Sequence, residues 1–304
     1  MPPSRHSLLR SLVVAPQVVA LFAITTVATN ANAALTYTLA FNDPLSQGMP
    51  YYSDINSNVH AALNQWGSFL AGSADLSIQV NITDAVERAS GRSFTSAYLR
   101  NNGSFNIYEQ GVAEELRTGI DPNGDAPDIE LQLNPTYLAN ELWFDPNPEL
   151  RNATVDTNRT DAMSVFIHEL GHAIAFNGWG HLETGAIPAD YVSTWDDLVV
   201  YDGSNTFFSG LSAENLYGGP IPITNNNNFH IGNLDNPGAD LVSDLMNGVI
   251  FNRGQRYSVS NLDLAIISDL GVALVPEPST YSLMLTGFMT IGCLTFKKRK
   301  RSTH

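Results

Sequence analysis

Hydrophobic and polar residues alternate in two segments near the start of the chain, on either side of one amphipathic stretch. Residues 36–42 and 76–82 alternate with a period of two and contain β-branched and aromatic residues, a pattern that predicts two strands. From Ser53 to Leu70 the apolar residues recur every three or four positions, and Gly72 follows, which predicts a helix. The chain therefore begins with a β-α-β arrangement.

The pattern is weaker in the next part of the chain, where it predicts a strand at 104–108, a short helix at 112–117 and a strand at 128–133. A polar turn, DPNGD at 121–125, separates the last two elements. Its first, third and fifth residues alternate as calcium ligands do, although the residues that follow do not complete a calcium loop. The turn therefore has two interpretations, a calcium site and a plain polar turn.

One predicted helix is apolar on nearly every side. Residues 162–177, AMSVFIHELGHAIAFN, follow Thr160 and Asp161, either of which is suited to cap the helix. This composition predicts burial near the centre of the domain. Two histidines and a glutamate in such apolar surroundings need a specific reason, because buried polar groups without partners are costly.

The remainder of the domain has little periodicity. Residues 178–240 are rich in Gly, Asn, Pro and Ser, which predicts an irregular region with one short helix near 194–199. A final helix at 261–270 closes the domain. Together these elements predict an α+β fold in one domain, residues 34–274, whose length is usual for a single domain.

Residues 1–33 have the features of a secretory signal peptide. Arg5 and Arg10 give a positive start, residues 12–27 are mostly apolar, and the segment ends in Ala-Asn-Ala, a cleavage site of small residues. The mature chain is therefore expected to begin near residue 34 and to be exported.

Residues 275–301, near the other end of the sequence, have the features of a second targeting segment. The sequence VPEPST is followed by an apolar run at 281–296 and by a basic cluster at 297–301. A helix of this length covers about 24 Å, less than the about 30 Å of a hydrocarbon core, so it spans a membrane only marginally. An ordinary tail anchor is one interpretation of the segment.

The same order of parts resembles the PEP-CTERM sorting signal of Gram-negative, often biofilm-forming bacteria. This resemblance implies that an exosortase-type enzyme recognises and removes the tail, so that membrane contact is transient. It also implies that the mature protein reaches the cell surface or the extracellular matrix.

Charge and cysteine content argue against several kinds of partner and regulation. All 30 acidic residues lie between residues 34 and 278, where only 8 of the 15 basic residues occur, so this part has a net charge of −22. Nucleic acids and anionic membrane surfaces attract basic patches and are therefore poor candidate partners. The single cysteine, Cys293, lies in the tail, which excludes disulfide bonds and a cysteine-based latency switch in the mature domain.

The sequence HELGH at 168–172 is the strongest chemical signal in the chain. On a helix, His168 and His172 project from one face, close enough together to bind one tetrahedral zinc ion. Glu169 lies about 100° around the helix axis, where it reaches a zinc-activated water without binding the metal and serves as the general base. The pattern therefore predicts a zinc-dependent hydrolase.

The HELGH helix resembles the active-site helix of the metzincin zinc metallopeptidases. That family usually has a Gly three residues after the second His and a third His three residues further on, and these positions hold Ala175 and Gly178 here. The third metal ligand must therefore come from elsewhere. His181 is near enough in sequence to fold back to the site, and His230 lies much further along the chain.

His230 is the better candidate because it lies shortly before the sequence DLMNG at 244–248. This sequence resembles the Met-turn that metzincins place beneath the metal, with Met246 as its methionine. The leishmanolysin-like branch brings its third His from a distant insert just upstream of that turn. An acid such as Asp235 or Asp240 remains the alternative to both histidines. A thermolysin-like site is not supported, because the chain lacks a glutamate at the position where that family has one.

The resemblance implies a metzincin-like twisted sheet with two packed helices, the second bearing zinc ligands, and an irregular C-terminal lobe that contains the Met-turn. It also implies a secreted zinc metalloendopeptidase whose protein or peptide substrate lies along an edge strand. Residues 128–133 are the candidate for that edge, and an ordinary sheet strand is the other interpretation. The alternative is that the chain is a non-catalytic extracellular-matrix or adhesion protein on the same fold. This alternative leaves Glu169 unexplained, because a protein that only binds does not need a general base.

Overall fold

A computed structural model describes residues 34–181, 186–187 and 189–276. The expected signal peptide and nearly all of the expected sorting signal lie outside the described residues, so both remain predictions from the sequence. Within the described ranges, no helix is long and apolar enough to cross a membrane.

Strands and helices both contribute to the fold. The strands are β1 (Ala34–Asn42), β2 (Ser73–Ile82), β3 (Ala89–Ser93), β4 (Ser96–Asn101), β5 (Asn106–Gln110), β6 (Ile129–Leu133), β7 (Leu142–Trp143), β8 (Thr160–Asp161), β9 (Tyr191–Ser193), β10 (Val199–Tyr201), β11 (Thr206–Phe208) and β12 (Ile221–Pro222). The helices are α1 (Tyr52–Gly67), α2 (Gly111–Thr118), α3 (Pro135–Asn140), α4 (Ala162–Ile174), α5 (Leu211–Tyr217) and α6 (Asn261–Asp269). The fold is therefore mixed α+β, as predicted.

The largest sheet has the strand order β1-β2-β6-β3. The first three strands are parallel, with Ile78 of β2 opposite Ile129 of β6, whereas β3 runs antiparallel to β6 and forms one edge. The predicted β-α-β opening is confirmed, because β1 and β2 are parallel neighbours joined through α1.

The prediction that residues 128–133 form the edge strand is wrong. Strand β6 lies inside the sheet, between β2 and β3, and the two edges are β1 and β3. No apolar alternation marks β3 in the sequence, because helix α4 packs directly on it and leaves room only for small side chains. A Cβ atom on Gly91 of β3 would come within 2.1 Å of the backbone oxygen of Glu169 on α4.

Helices α1 and α4 pack against each other beside the sheet. On α1, the side chains of Ile55, Val59, Leu63 and Trp66 are all buried. The Nε1 of Trp66 donates a hydrogen bond of 2.9 Å to the backbone oxygen of Ile167 on α4. Burial of these apolar faces supplies most of the helices' stability, because short isolated helices are marginal in water.

Every residue of α4 is buried. Asp161 is the N-cap, since its side chain accepts a hydrogen bond from the backbone nitrogen of Ser164, and this selects one of the two predicted caps. The helix is shorter than predicted because Ala175, with φ −161°, leaves the helical conformation. The resulting turn brings the carbonyl oxygen of Phe176 within 2.6 Å of the His172 ring.

The region 178–240 contains more regular structure than predicted. Strands β10, β11 and β12 form a small antiparallel sheet, and α5 lies between the last two of them. The helix predicted near 194–199 is only a 3-10 turn, Asp196–Leu198. The final helix, α6, packs on α5 and begins with a capping box formed by Ser260 and Asp263.

Candidate metal centre

Three histidine side chains converge beside α4. The Nε2 atoms of His168 and His172 are 3.1 Å apart, and the Nε2 of His230 lies 3.0 Å from the first and 2.9 Å from the second. The three rings thus form one group of potential metal ligands. The structure brings together the three histidines named from the sequence, and their arrangement is able to hold a metal ion.

Helix α4 and two hydrogen-bonded loops position these rings. The two histidines of α4 are one helical turn apart, whereas His230 lies in the loop after β12. The backbone oxygen of His230 accepts a hydrogen bond from Thr224, and the next residue, Ile231, donates one of 3.0 Å to the backbone oxygen of Met246. Met246 is fully buried. The DLMNG turn therefore holds the His230 loop against the helix.

Hydrogen bonds of the other ring nitrogens define the tautomers of two histidines. The Nδ1 of His168 lies 2.8 Å from the carbonyl oxygen of Leu245, and that of His172 lies 2.6 Å from the oxygen of Phe176. Because a carbonyl oxygen only accepts, both Nδ1 atoms carry the proton and both Nε2 atoms present a lone pair. A cation between these lone pairs relieves their repulsion, and imidazole is a ligand for zinc, copper, iron and nickel. The residues therefore fit a bound transition metal.

Burial keeps the three rings neutral. It lowers the pKa of His168 to about 3, with the charge of His172 as a second cause, and lowers the pKa of His172 to about 4. The pKa of His230 is well below its ordinary value, first through burial and then through the other two rings. Neutral imidazole is the form that binds metals, so all three rings are suitable ligands at neutral pH.

Glu169 lines the same cleft as His168 and His230 but does not belong to the ligand group. Burial raises the pKa of its carboxyl to about 8, and a hydrogen bond from the backbone of Gly91 partly opposes this shift. A cation bound nearby would favour the ionised carboxylate. Glu169 therefore has the position and the environment that suit a general base.

The cleft beside the histidines has a volume of about 330 Å³. Its lining includes Arg88, which precedes β3, Ala89 at the start of that strand, and Phe251 after the DLMNG turn. The ring of Phe251 packs edge-on against His168, with 5.2 Å between the ring centroids. An adjoining cleft of about 610 Å³ shares Arg88, Tyr137 and Phe251 with the first. The open space thus continues beyond the histidines along the surface.

The other candidate ligands lie elsewhere. His181 is exposed, and neither it nor Asp235 nor Asp240 belongs to the histidine group found among the described residues. Asp240 instead accepts a hydrogen bond of 3.2 Å from the hydroxyl of Tyr217. His230 is therefore the residue that completes the group.

Sequence reasoning missed Tyr137 and Phe251, which line the cleft, and Gly91, whose backbone donates a hydrogen bond to the Glu169 carboxyl. Tyr137 and Phe251 belong to no motif and reach the cleft through the packing of α3 and of the loop after the DLMNG turn. Gly91 has no usable signal in the sequence either, because a glycine marks a close approach of another backbone only inside a recognised strand, and no pattern of apolar residues identifies β3.

Comparison with protein-family models, with curated proteins and with solved structures gives no match. The interpretation of the histidine group therefore rests on its geometry and on the sequence motifs.

Proposed function

We propose that this chain is a secreted, zinc-dependent metalloendopeptidase of the metzincin kind, with the ligand order of the leishmanolysin-like branch. One observation carries the proposal. Two histidines of the HELGH helix and one from a distant loop bring their Nε2 atoms within 3.1 Å of one another, beside the buried Glu169. Three histidine ligands with a separate glutamate are the parts that zinc-assisted hydrolysis requires.

The chain's own residues have distinct parts in the proposed reaction. When bound, zinc polarises the scissile carbonyl and lowers the pKa of the attacking water. Glu169 takes a proton from that water at its carboxylate and gives it to the amine nitrogen of the leaving group. The backbone oxygens of Leu245 and Phe176 hold two ligand rings in the tautomer that leaves Nε2 free to bind.

The proposed substrate is an extended peptide that pairs with strand β3. This strand is an edge of the main sheet, and Ala89 at its start lines the cleft that contains Glu169. An edge strand has unpaired backbone groups with which an added strand forms hydrogen bonds. Pairing there would place the scissile bond of the peptide next to Glu169, the proposed general base.

Several features support the metzincin assignment. The order along the chain is the HELGH helix, a distant histidine, and a turn whose Met246 is buried under the helix. The main sheet carries two packed helices, and the second of these bears ligands. Export and exosortase-type removal of the tail are proposed from residues 1–33 and 275–301 of the sequence.

The proposal is tested by metal content and casein hydrolysis of the purified protein. We expect about one zinc per chain and cleavage of casein. Glu169→Gln should keep the zinc and lower the rate of casein cleavage by roughly 10²–10⁴-fold. His230→Ala should lose zinc and activity together. His181→Ala is the matched control and should retain both.

Different failures overturn different parts of the proposal. A native chain that binds zinc but cleaves nothing across a broad peptide library is not a peptidase, and the alternative of a non-catalytic extracellular-matrix or adhesion protein takes its place. A chain that binds no zinc contradicts the cofactor. Loss of zinc in His181→Ala with retention in His230→Ala would reverse the assignment of the third ligand.

A further inference from the structure

A second cluster of possible metal ligands lies away from the histidines, where α2 leads into β6. One carboxylate oxygen from each of Glu115, Asp121 and Asp128 lies within 4.8 Å of the other two. Glu115 is on α2, Asp121 is the first residue of the DPNGD turn, and Asp128 directly precedes β6. The fold thus brings together three acidic side chains from a helix, a turn and the start of a strand.

Two of these carboxylates are almost completely buried, and each has one oxygen without a partner. Glu115 is 3% exposed and Asp128 is 4% exposed. The Oε1 of Glu115 accepts a hydrogen bond from the backbone nitrogen of Asp75, and the Oδ2 of Asp128 accepts two from Ser77. Within the described part of the chain, Glu115 Oε2 and Asp128 Oδ1 are buried without a hydrogen-bond partner. Buried unpaired acceptors are rare and costly, so these oxygens require an explanation.

The turn contributes a further unpaired oxygen. The Nδ2 of Asn123 donates hydrogen bonds to the backbone oxygens of Ala126 and Pro127, just before Asp128. Its Oδ1 is left buried, and no donor for it occurs among the described residues. Asn123 therefore offers an amide oxygen in the same turn as Asp121.

The negative charge of the cluster has no basic counterpart among the described ion pairs. None of those pairs includes Glu115, Asp121 or Asp128, and Arg117 on α2 pairs instead with Glu109 and Glu114. Burial raises the pKa of Glu115, and the charges of Asp128 and Asp121 raise it further. A bound cation would remove both the repulsion and the unpaired acceptors.

We propose that Glu115, Asp121, Asn123 and Asp128 form a calcium site that is independent of the histidine centre. Carboxylate and amide oxygens are the ligands that calcium prefers, whereas transition metals favour the imidazoles of the other site. The ion would join the end of α2 and the DPNGD turn to the start of β6, next to the Ser77 position of β2. Its role is to stabilise this end of the main sheet.

The test is a calcium titration of the full chain after passage over a chelating resin. Calorimetry with calcium chloride should show one site, which Glu115→Gln and Asp128→Asn abolish. Asp125→Asn is the matched control, because Asp125 is exposed in the same turn and outside the cluster. His172→Ala should also retain calcium binding, which separates this proposal from the peptidase proposal.

Thermal unfolding keeps the test valid if a variant is poorly stable. About 10 mM calcium should raise the Tm of the native chain by about 3–10 °C, given an affinity typical of extracellular calcium modules. The Tm of Asp128→Asn should not respond to calcium and should equal or exceed that of the native chain without calcium. No binding at about 10 mM calcium, or equal loss of binding in Asp128→Asn and Asp125→Asn, would overturn the proposal.

Discussion

Gly171, the fourth residue of HELGH, lies directly against the side chain of Met246. A Cβ atom on Gly171 would be 2.9 Å from the Sδ of Met246, 3.2 Å from its Cε and 3.3 Å from Cζ2 of Trp66. Glycine in a helix interior costs about 1 kcal/mol relative to alanine. The glycine therefore reflects the packing of the DLMNG turn beneath the helix that bears two of the histidines.

This contact predicts coupling between Gly171→Ala and Met246→Ala. In the native chain, Gly171→Ala gains helix propensity, but overpacking against Met246 lowers the free energy of unfolding by about 1–3 kcal/mol. In the Met246→Ala background most of the clash is absent, so Gly171→Ala should raise the free energy of unfolding by about 1 kcal/mol. Urea unfolding of the four proteins of this cycle should give a coupling energy of about 1–3 kcal/mol. Additive effects of the two substitutions would contradict the contact.

The parts of the fold that the sequence predicts are those with many apolar residues in a regular period. The elements so predicted and observed are α1, α2, α4, α6, β1, β2, β5 and β6. Strand β3 was not predicted because its inward residues, Ala89, Gly91 and Ser93, are small and give no apolar alternation. They are small because α4 packs closely against them. The interior position of β6 could not be predicted either, because the order of strands depends on tertiary contacts.

The candidate site also has one part that the sequence predicts and another that depends on tertiary structure. Helical geometry alone places His168 and His172 on one face, so their proximity follows from the sequence. The choice between His230 and His181 depends instead on loop structure, in particular on the hydrogen bond from Ile231 to Met246. Of the alternating residues Asp121, Asn123 and Asp125, only Asp121 belongs to the acidic cluster; its other members, Glu115 and Asp128, lie outside the DPNGD turn and were not predicted.

Gly91 predicts a second effect, at the contact between β3 and α4. A Cβ atom on this residue would be 2.1 Å from the backbone oxygen of Glu169 and 2.6 Å from its carbonyl carbon. Backbone atoms cannot rotate away, so Gly91→Ala must separate the strand from the helix. We expect the free energy of unfolding to fall by about 1–3 kcal/mol, measured by urea unfolding. Ser90→Ala on the same strand is the control and should change it by less than about 0.5 kcal/mol. Equal stability of both variants would show that the strand moves freely.

A buried charge network predicts a third effect. Asp161, the fully buried cap of α4, lies 3.0 Å from Arg151 and 3.5 Å from Arg256. Asp161→Asn keeps an acceptor for the helix cap but leaves the Arg151 guanidinium without an acidic partner among the described ion pairs. Because unpaired buried charge is costly, we expect a loss of about 3 kcal/mol in the free energy of unfolding.

A surface pair is the control for this prediction. Asp197 lies 2.8 Å from Arg100, whose side chain is half exposed. Asp197→Asn should reduce the free energy of unfolding by no more than about 1 kcal/mol, because solvent screens such pairs. If both variants lost the same amount, burial would not be the reason for the importance of Asp161.

A fourth prediction concerns pH and the support of the DLMNG turn. Asp263 of α6 is fully buried, its Oδ1 has no hydrogen-bond partner among the described residues, and the carboxyl of Asp244 in that turn is its acidic neighbour. Its Oδ2 also accepts a hydrogen bond of 2.8 Å from the backbone nitrogen of Ser260. Burial, and then the charge of Asp244, raise the pKa of Asp263 well above its ordinary value. Asp263 therefore retains its proton at pH values where an exposed carboxyl would have lost it.

A carboxyl whose pKa is higher in the folded than in the unfolded chain binds its proton more tightly when folded. Its contribution to stability is complete below the unfolded pKa of about 3.9 and declines as pH rises toward the folded pKa. Asp263→Asn carries an amide that donates to Asp244 at every pH. The stability of this variant relative to the native chain should therefore increase from about pH 4 to about pH 8. Urea unfolding in the presence of a chelator measures this difference.

The exposed Asp202 gives a control of opposite sign. Hydrogen bonds from the backbone of Asn205 and then Ser204 lower its pKa, so its contribution is present at neutral pH and is lost as pH falls. Asp202→Asn should therefore lose stability relative to the native chain as pH rises through the acid range. If the Asp263→Asn difference were independent of pH, or followed the sign of Asp202→Asn, the carboxyl would be ionised in the folded chain. Protonation of Asp263 would then not be what allows its carboxyl to stay buried between α6 and the turn beneath the histidines.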